Sequence, residues 1–274
     1  MDIRELSIPE SAKQLVLASG IIKLYPPQEE AIKAGVLEGH NFVLTSPTAS
    51  GKTLVAELCA LKHILEKGGK VLYLTPLRAL ASEKYEQFKT YSKLKKHDGS
   101  NVKVTISTGD YDSSDSWLGR YDIIVVTNEK CDSLLRHRSE WLSAVTLAVA
   151  DEVHLLNDME RGPTLEVTLT RLMEVNPNIQ VLALSATIRN ASEVAEWLKA
   201  KQVTTEWRPV KLVEGVYHDG ECQFNDGRSI KIEAVDGTPV TGLVVQVIKQ
   251  GGQALVFTET RARAVQYAKR LSNI

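Results

Sequence analysis

Two short stretches hold the residue types best suited to chemistry on a phosphate. Residues 46–53 read Ser46-Pro-Thr48-Ala49-Ser50-Gly51-Lys52-Thr53 and fit the tail of G-x-x-x-x-G-K-[ST], with Ser46 standing as one small residue for another at the first position. In such a loop, backbone N–H groups cradle phosphate oxygens, Lys52 reaches the β- and γ-phosphates, and Thr53 offers a hydroxyl to Mg2+. The bare Gly-Lys-Thr tripeptide also occurs as an ordinary turn before a helix. The second stretch is Asp151-Glu152-Val153-His154. Asp151 suits Mg2+ held through its water shell, and Glu152 suits a general base for the attacking water. His154 has no nucleophile to serve, so its expected role is coupling. Acids at a solvated helix start are the alternative reading of this pair. Ser185-Ala186-Thr187 adds two hydroxyls able to bond the acidic stretch and the γ-phosphate region, or else to cap a helix that starts at Ala191.

These residues need a frame, and the chain supplies one. From about residue 40 to 200, short apolar runs alternate with amphipathic stretches. The runs are residues 41–45, 71–75, 102–106, 123–127, 147–150 and 181–184. Each is β-branched or aliphatic, as buried parallel strands are. Helical patterns cover 54–66, 79–91 and 191–199. This alternation predicts an α/β fold, a parallel sheet with helices on both faces, in which ligands bind beyond the carboxyl ends of the strands. The phosphate loop, the acidic pair and Ser185 each directly follow a run. So do Thr75, Pro76 and Arg78, then Thr108, Gly109 and Asp110, then Thr127. Hydroxyls, helix-start N–H groups and one arginine along one sheet edge can grip a phosphate backbone without reading bases. Arg136, His137 and Arg138 form a further basic cluster that reads as a solvated helix end.

Beyond residue 200 the texture changes. Trp207-Arg208-Pro209-Val210 reads as a linker, placed over 201–212, since proline pushes Arg208 toward an extended conformation. Asp219-Gly220, Asp226-Gly227 and Asp236-Gly237 are hairpin-turn signals, which predict a small antiparallel ribbon over 213–235. A helix over 240–249, an apolar strand over 254–257 and a helix over 261–271 follow.

Composition bounds the answer without giving it. Of 274 residues, 43% are hydrophobic and 24% charged, which excludes a disordered tail and a collagen-like fibre. Cys59, Cys131 and Cys222 are an odd number with no C-x-x-C pair, so free thiols in a reducing compartment fit better than disulfides or zinc. No apolar run approaches the roughly 18 residues of a membrane span, and charges at Asp2, Arg4, Glu5 and Glu10 interrupt any signal peptide. A cytoplasmic location is expected. The net charge of −1 gives no hint of a polyanionic partner.

Taken in order, the motifs resemble those of the superfamily-2 helicases, most closely the group that contains the archaeal Holliday-junction-migration helicase and the helicase part of polymerase theta. Leu24-Tyr25-Pro-Pro-Gln28 resembles the Q motif, in which Gln28 would read the adenine edge with Tyr25 packed nearby. Residues 46–53 match motif I, 75–80 motif Ia, 127–130 motif Ib, 151–154 motif II and 185–187 motif III. Residues 256–261, including Thr258, look like motif IV, and 207–212 look like the interdomain linker. The DEVH spelling departs mildly from the commoner DEAH or DEIH.

The resemblance implies a RecA-like first domain over 1–200 and, over 213–274, the shortened start of a second. It implies ATP and Mg2+ as cofactors, with cofactor contacts at Tyr25, Gln28, Ser46, Thr48, Ala49, Ser50, Gly51, Lys52 and Thr53. Mg2+ would lie at Thr53 and Asp151, catalysis at Lys52, Asp151 and Glu152, and coupling at His154, Ser185 and Thr187. Single-stranded or branched DNA would run over Thr75, Pro76, Arg78, Thr108, Gly109, Thr127 and Thr258. The implied activity is that of a monomeric ATP-dependent DNA helicase moving 3′ to 5′. An RNA helicase of the exosome-associated type and a non-catalytic nucleotide-gated binding module stand as alternatives. No Gln-x-x-Gly-Arg-x-Gly-Arg pattern carries an arginine finger here, so this chain is expected to bind ATP but hydrolyse it poorly.

Overall fold

A computed structural model describes residues 1–109, 115–235 and 237–272. Asp110 and Asp236, noted above, lie outside the described residues. The chain divides into two compact units, Met1–Pro209 and Val210–Ile274.

The first unit is built on a seven-stranded, wholly parallel sheet. Its strands are β1 (Phe42–Thr45), β2 (Lys70–Thr75), β3 (Val104–Ser107), β4 (Ile123–Thr127), β5 (Val145–Ala150), β6 (Gln180–Ser185) and β7 (Lys201–Thr204). They lie in the order β3-β4-β2-β5-β6-β1-β7. The seven helices are α1 (Glu10–Ala18), α2 (Pro26–Lys33), α3 (Lys52–Lys67), α4 (Arg78–Lys89), α5 (Asn128–Arg136), α6 (Gly162–Val175) and α7 (Ala191–Trp197).

Side chains alternate across each strand, so one sheet feeds two cores. Phe42, Leu44, Tyr73, Val125, Val149 and Leu182 face the core closed by α1 to α4. Val43, Leu72, Val126, Ala148, Val181 and Ala183 face the core closed by α5 to α7. Burial on both faces explains why the strands read as continuous apolar runs. Tyr73, Phe42 and Phe88 are among the largest fully buried side chains, each contributing roughly 1.5–3 kcal/mol of transfer free energy.

The six strands read from the sequence are present, and a seventh is added. Residues 201–204, expected as linker, pair with β1 as its outer neighbour. Their half-polar, exposed pattern is that of an edge strand and lacks an apolar run, so hydropathy alone misses it.

The amino-terminal edge of the sheet is closed by a polar network. Gln180 donates both amide hydrogens to the Val36 and His40 carbonyls at 2.8 Å. Its oxygen must therefore accept from His63 Nε2, 2.7 Å away. His63 Nδ1 lies 3.0 Å from the Thr146 hydroxyl. Burial is the main force that lowers the His63 pKa to about 4.

The second unit holds an antiparallel ribbon of β8 (Gly215–His218), β9 (Glu221–Phe224) and β10 (Ser229–Lys231), with α8 (Pro239–Lys249) and α9 (Arg261–Leu271). Asp219 and Gly220 both adopt positive φ, at 45° and 84°, as the β8–β9 turn requires. The strand expected over 254–257 does not form: among the described residues no strand pairs with it, and Leu255 and Phe257 are 80% and 87% exposed. An apolar run becomes a strand only where a ladder satisfies its backbone.

One pH dependence follows from His63. Below pH 6.5 the unfolded chain takes up a proton that the folded chain refuses until about pH 4. Folding stability therefore falls as pH falls through that window, by an upper limit of about 3 kcal/mol. Urea unfolding from pH 7 to 4 should show a steeper loss for the wild type than for His63→Gln. Parallel profiles would remove His63 as the cause.

Candidate active site

The site is assembled at the carboxyl edge, where β6 separates β1 from β5. The phosphate loop leaves β1 and the acidic stretch leaves β5. Ser46 N–H donates to the Ser185 carbonyl at 3.2 Å, tying the loop to the end of β6.

The loop's shape rests on two left-handed residues, Ala49 (φ 66°) and Gly51 (φ 84°). Gly51 is also sterically required, because a Cβ there would fall 2.0 Å from Gln28 Nε2. Ser46 and Ser50 share a buried hydroxyl pair at 2.6 Å, while Thr48 is exposed. Lys52 opens α3 and folds back onto the loop, donating to the Ser46 and Pro47 carbonyls at 2.6 and 3.1 Å. Burial lowers its pKa, opposed by the carboxylates of Glu152 and Asp151. Its ammonium thus sits over carbonyls that a phosphate could replace.

Asp151 is buried and held from two sides. Tyr73 donates its hydroxyl to Oδ2 at 2.8 Å, and the Glu152 backbone N–H donates to Oδ1 at 3.0 Å. Burial and the neighbouring Asp151 raise the Tyr73 pKa well above its usual value, so the phenol remains a donor. Glu152 adopts a left-handed conformation (φ 57°, ψ 44°), a strained state for a residue with a Cβ. Its Oε2 lies 3.2 Å from His154 Nδ1, in a geometry short of a hydrogen bond. The Ser185 hydroxyl is buried without a partner among the described residues, and Thr187 is exposed beyond it. Asn190, rather than Ser185 or Thr187, precedes α7, so neither hydroxyl is spent as its cap.

Thr53 and Asp151 supply hard oxygen donors, which fit Mg2+. Among the described residues no group of three or more His, Cys, Asp or Glu could hold a metal alone.

Beside the loop lies a cavity of about 640 Å³ lined by Ile22, Tyr25, Gln28, Gly51, Leu54 and Glu57, among others. Gln28 already spends both ends of its amide on backbone: Oε1 accepts from Tyr25 N–H at 2.7 Å, and Nε2 donates to the Gly51 carbonyl at 2.9 Å. One Nε2 hydrogen and one Oε1 lone pair remain to read a base edge. Trp207 packs on Tyr25 with ring centroids 4.9 Å apart, a contact hidden in what reads as linker.

Of the residues expected along a nucleic-acid track, those in the first unit are brought to the same edge. Thr75 and Pro76 are buried at the end of β2, and exposed Arg78 opens α4. Thr127 ends β4 and accepts from Lys130 N–H to cap α5. Thr108 and Gly109 follow β3. Thr258 is in the second unit, its hydroxyl donating to the Thr260 carbonyl at 3.0 Å.

Sequence reading missed Tyr73, Trp207 and Lys84, which donates to Thr53 Oγ1 at 3.2 Å. Alternation along β2 puts Tyr73 on the α3/α4 side and hints at a polar tip, but only the fold shows that Asp151 receives it. Tyr73→Phe should leave the buried Asp151 carboxylate short of a donor and lower stability by about 1–3 kcal/mol. An unchanged thermal midpoint would mean that the bond carries no weight.

A profile of the DEAD/DEAH box helicase family matches residues 25–194. Among curated proteins, the ATP-dependent DNA helicase Hel308 of Methanocella arvoryzae is 50% identical over 99% of this chain and 36% of its own length. The protein of that name from Thermococcus kodakarensis is 50% identical over 100% of this chain and 23% of its own length. The chain thus spans about a third or less of these relatives. Among solved structures, the DUF1998 helicase MrfA superposes with a TM-score of 0.74 at 23% identity, over 97% of this chain and 41% of that one. The Mycobacterium smegmatis helicase Lhr bound to ssDNA and AMP-PNP gives 0.72 at 24%, over 100% and 36%. These two likenesses speak for the RecA-like helicase fold. The family match spans the phosphate loop and the acidic stretch alike, and the chain belongs to the DEAD/DEAH box helicase family.

Proposed function

We propose that this chain serves an ATP-dependent DNA helicase that moves 3′ to 5′ along single-stranded or branched DNA in replication-linked repair. The observation that carries the reading is the common edge: loop, acid pair and hydroxyl track all leave the same ends of one parallel sheet. The shared name of the Hel308 relatives favours DNA over RNA.

In this reading, Tyr25 and Gln28 hold the adenine, and the backbone of Ser46, Thr48, Ala49, Ser50 and Gly51 cradles phosphates. Lys52 leaves the two loop carbonyls to meet the β- and γ-phosphates. Thr53 and Asp151 hold Mg2+, which when bound neutralises charge on the phosphates. Glu152 orients the attacking water and takes its proton. His154, Ser185 and Thr187 relay the state of that site toward the nucleic acid. Thr75, Pro76, Arg78, Thr108, Gly109, Thr127 and Thr258 grip the sugar–phosphate backbone. Hydrolysis by the 274 residues alone is slow, because no arginine-finger pattern occurs among them and such a group is worth roughly 10³–10⁵ in rate.

A fluorescent ATP analogue should bind the wild-type chain in Mg2+. Lys52→Ala should weaken that binding by about 10- to 100-fold, the worth of a lost charge-assisted hydrogen bond. Glu152→Gln should retain the analogue and abolish residual turnover. No binding by the wild type would sink the nucleotide reading. Rapid DNA-stimulated turnover would sink the claim of slow hydrolysis. Tighter binding of single-stranded RNA than DNA would favour the exosome-type alternative.

A further inference from the structure

Helices α3 and α4 lie on the same face of the sheet and are joined by a buried polar seam. Thr53 and Glu57 sit one turn apart on α3. Lys84 and Gln87 sit one turn apart on α4. Gln87 Nε2 donates to Glu57 Oε1, and Tyr91, just past α4, also bonds the Glu57 carboxyl. Lys84 has a side chain only 11% exposed, with Nζ donating to Thr53 Oγ1 at 3.2 Å and lying 3.6 Å from Glu83 Oε1.

A buried ammonium on this hydroxyl is unexpected. Thr53 is the residue to which the phosphate-loop pattern assigns Mg2+, and a Mg2+–oxygen bond is about 2.1 Å long. A divalent cation at that distance and an ammonium 3.2 Å from the same oxygen repel strongly at short range. Both cannot stay. Lys84 has a flexible four-carbon stem and freely turning donors, which let it move where an arginine fork would resist. Across the seam stands the buried acid Glu57, 6% exposed; burial raises its pKa to about 7, against the pull of the Tyr91 hydrogen bond and then of the Lys84 charge.

We propose that Lys84 is a resident counter-cation of the metal site: its ammonium occupies the Thr53 hydroxyl while no divalent cation is there, and withdraws toward Glu57 when one arrives. Lys84 is thus a positioning residue. It lies on the helix that Arg78 opens, so the move carries the state of the metal site into the element at the expected nucleic-acid track. The proposal rests on the reading of Thr53 as a Mg2+ ligand.

The test is a calorimetric titration of Mg2+ into the chain saturated with a non-hydrolysable ATP analogue. Lys84→Met removes the competitor and should tighten Mg2+ binding by about tenfold, a gain that no merely structural role would produce. Lys84→Arg keeps the charge but resists withdrawal, and should hold the affinity at or below the wild-type value. Glu57→Gln removes the landing site and should weaken Mg2+ binding several-fold. Should Lys84→Met melt early, Lys84→Gln keeps a polar neutral side chain of similar reach and makes the same comparison. An equal or weaker Mg2+ affinity in the neutral variants would overturn the proposal, as would an unchanged affinity in Glu57→Gln. Failure of the wild type to bind the analogue at all would instead bring down the nucleotide reading beneath it.

Discussion

The first unit depends on one geometric constraint, the fixed spacing of hydrogen-bonded strands. Neighbouring strands stand about 4.8 Å apart. With β6 between them, the ends of β1 and β5 are held about 10 Å apart. From those ends leave the phosphate loop and the acidic stretch. Register fixes the rest: Thr45 pairs with Ser185 across β1 and β6, and Ala150 with Ala183 across β5 and β6. No side chain has to search for its partner. The two cores hold the spacing by burying the strands from both faces.

Within that frame, unfavourable local states are retained where phosphate would be handled. Glu152 is left-handed, Ala49 and Gly51 are left-handed, and the Ser185 hydroxyl is buried without a bond among the described residues. For Ala49, Glu152 and Ser185 each such state costs of order 1–3 kcal/mol in isolation, while glycine adopts the left-handed region freely. At the opposite edge His63, Gln180 and Asn41 form a satisfied polar network. Asn41 Oδ1 accepts from Val181 N–H, and its Nδ2 donates to the Leu198 carbonyl.

Much of this was legible in the sequence, for identifiable reasons. Buried parallel strands must be apolar on both faces, so six of the seven announce themselves by composition. Gly-Lys-Thr and Asp-Glu announce themselves because few other residue types serve those ends. What stayed hidden depends on cross-chain geometry. β7 looks polar because one flank meets water. Lys84 looks like one more surface lysine on an amphipathic helix until α3 is seen beside it. Trp207 sits among linker residues, and only packing brings it to Tyr25. In the other direction, residues 254–257 have a strand's composition but no paired neighbour, and composition alone does not make a ladder.

The position of β7 has a mechanical consequence. β1, which launches the phosphate loop, is separated from solvent by a single four-residue strand, clasped through the Thr45–Thr204 hydroxyl pair at 2.8 Å. β5, which presents the acids, has three strands on either side. Fraying begins at rims and dies away toward the middle. Strand support is therefore graded across the sheet: the loop leaves a strand one step from the margin, and the acidic stretch leaves the central one.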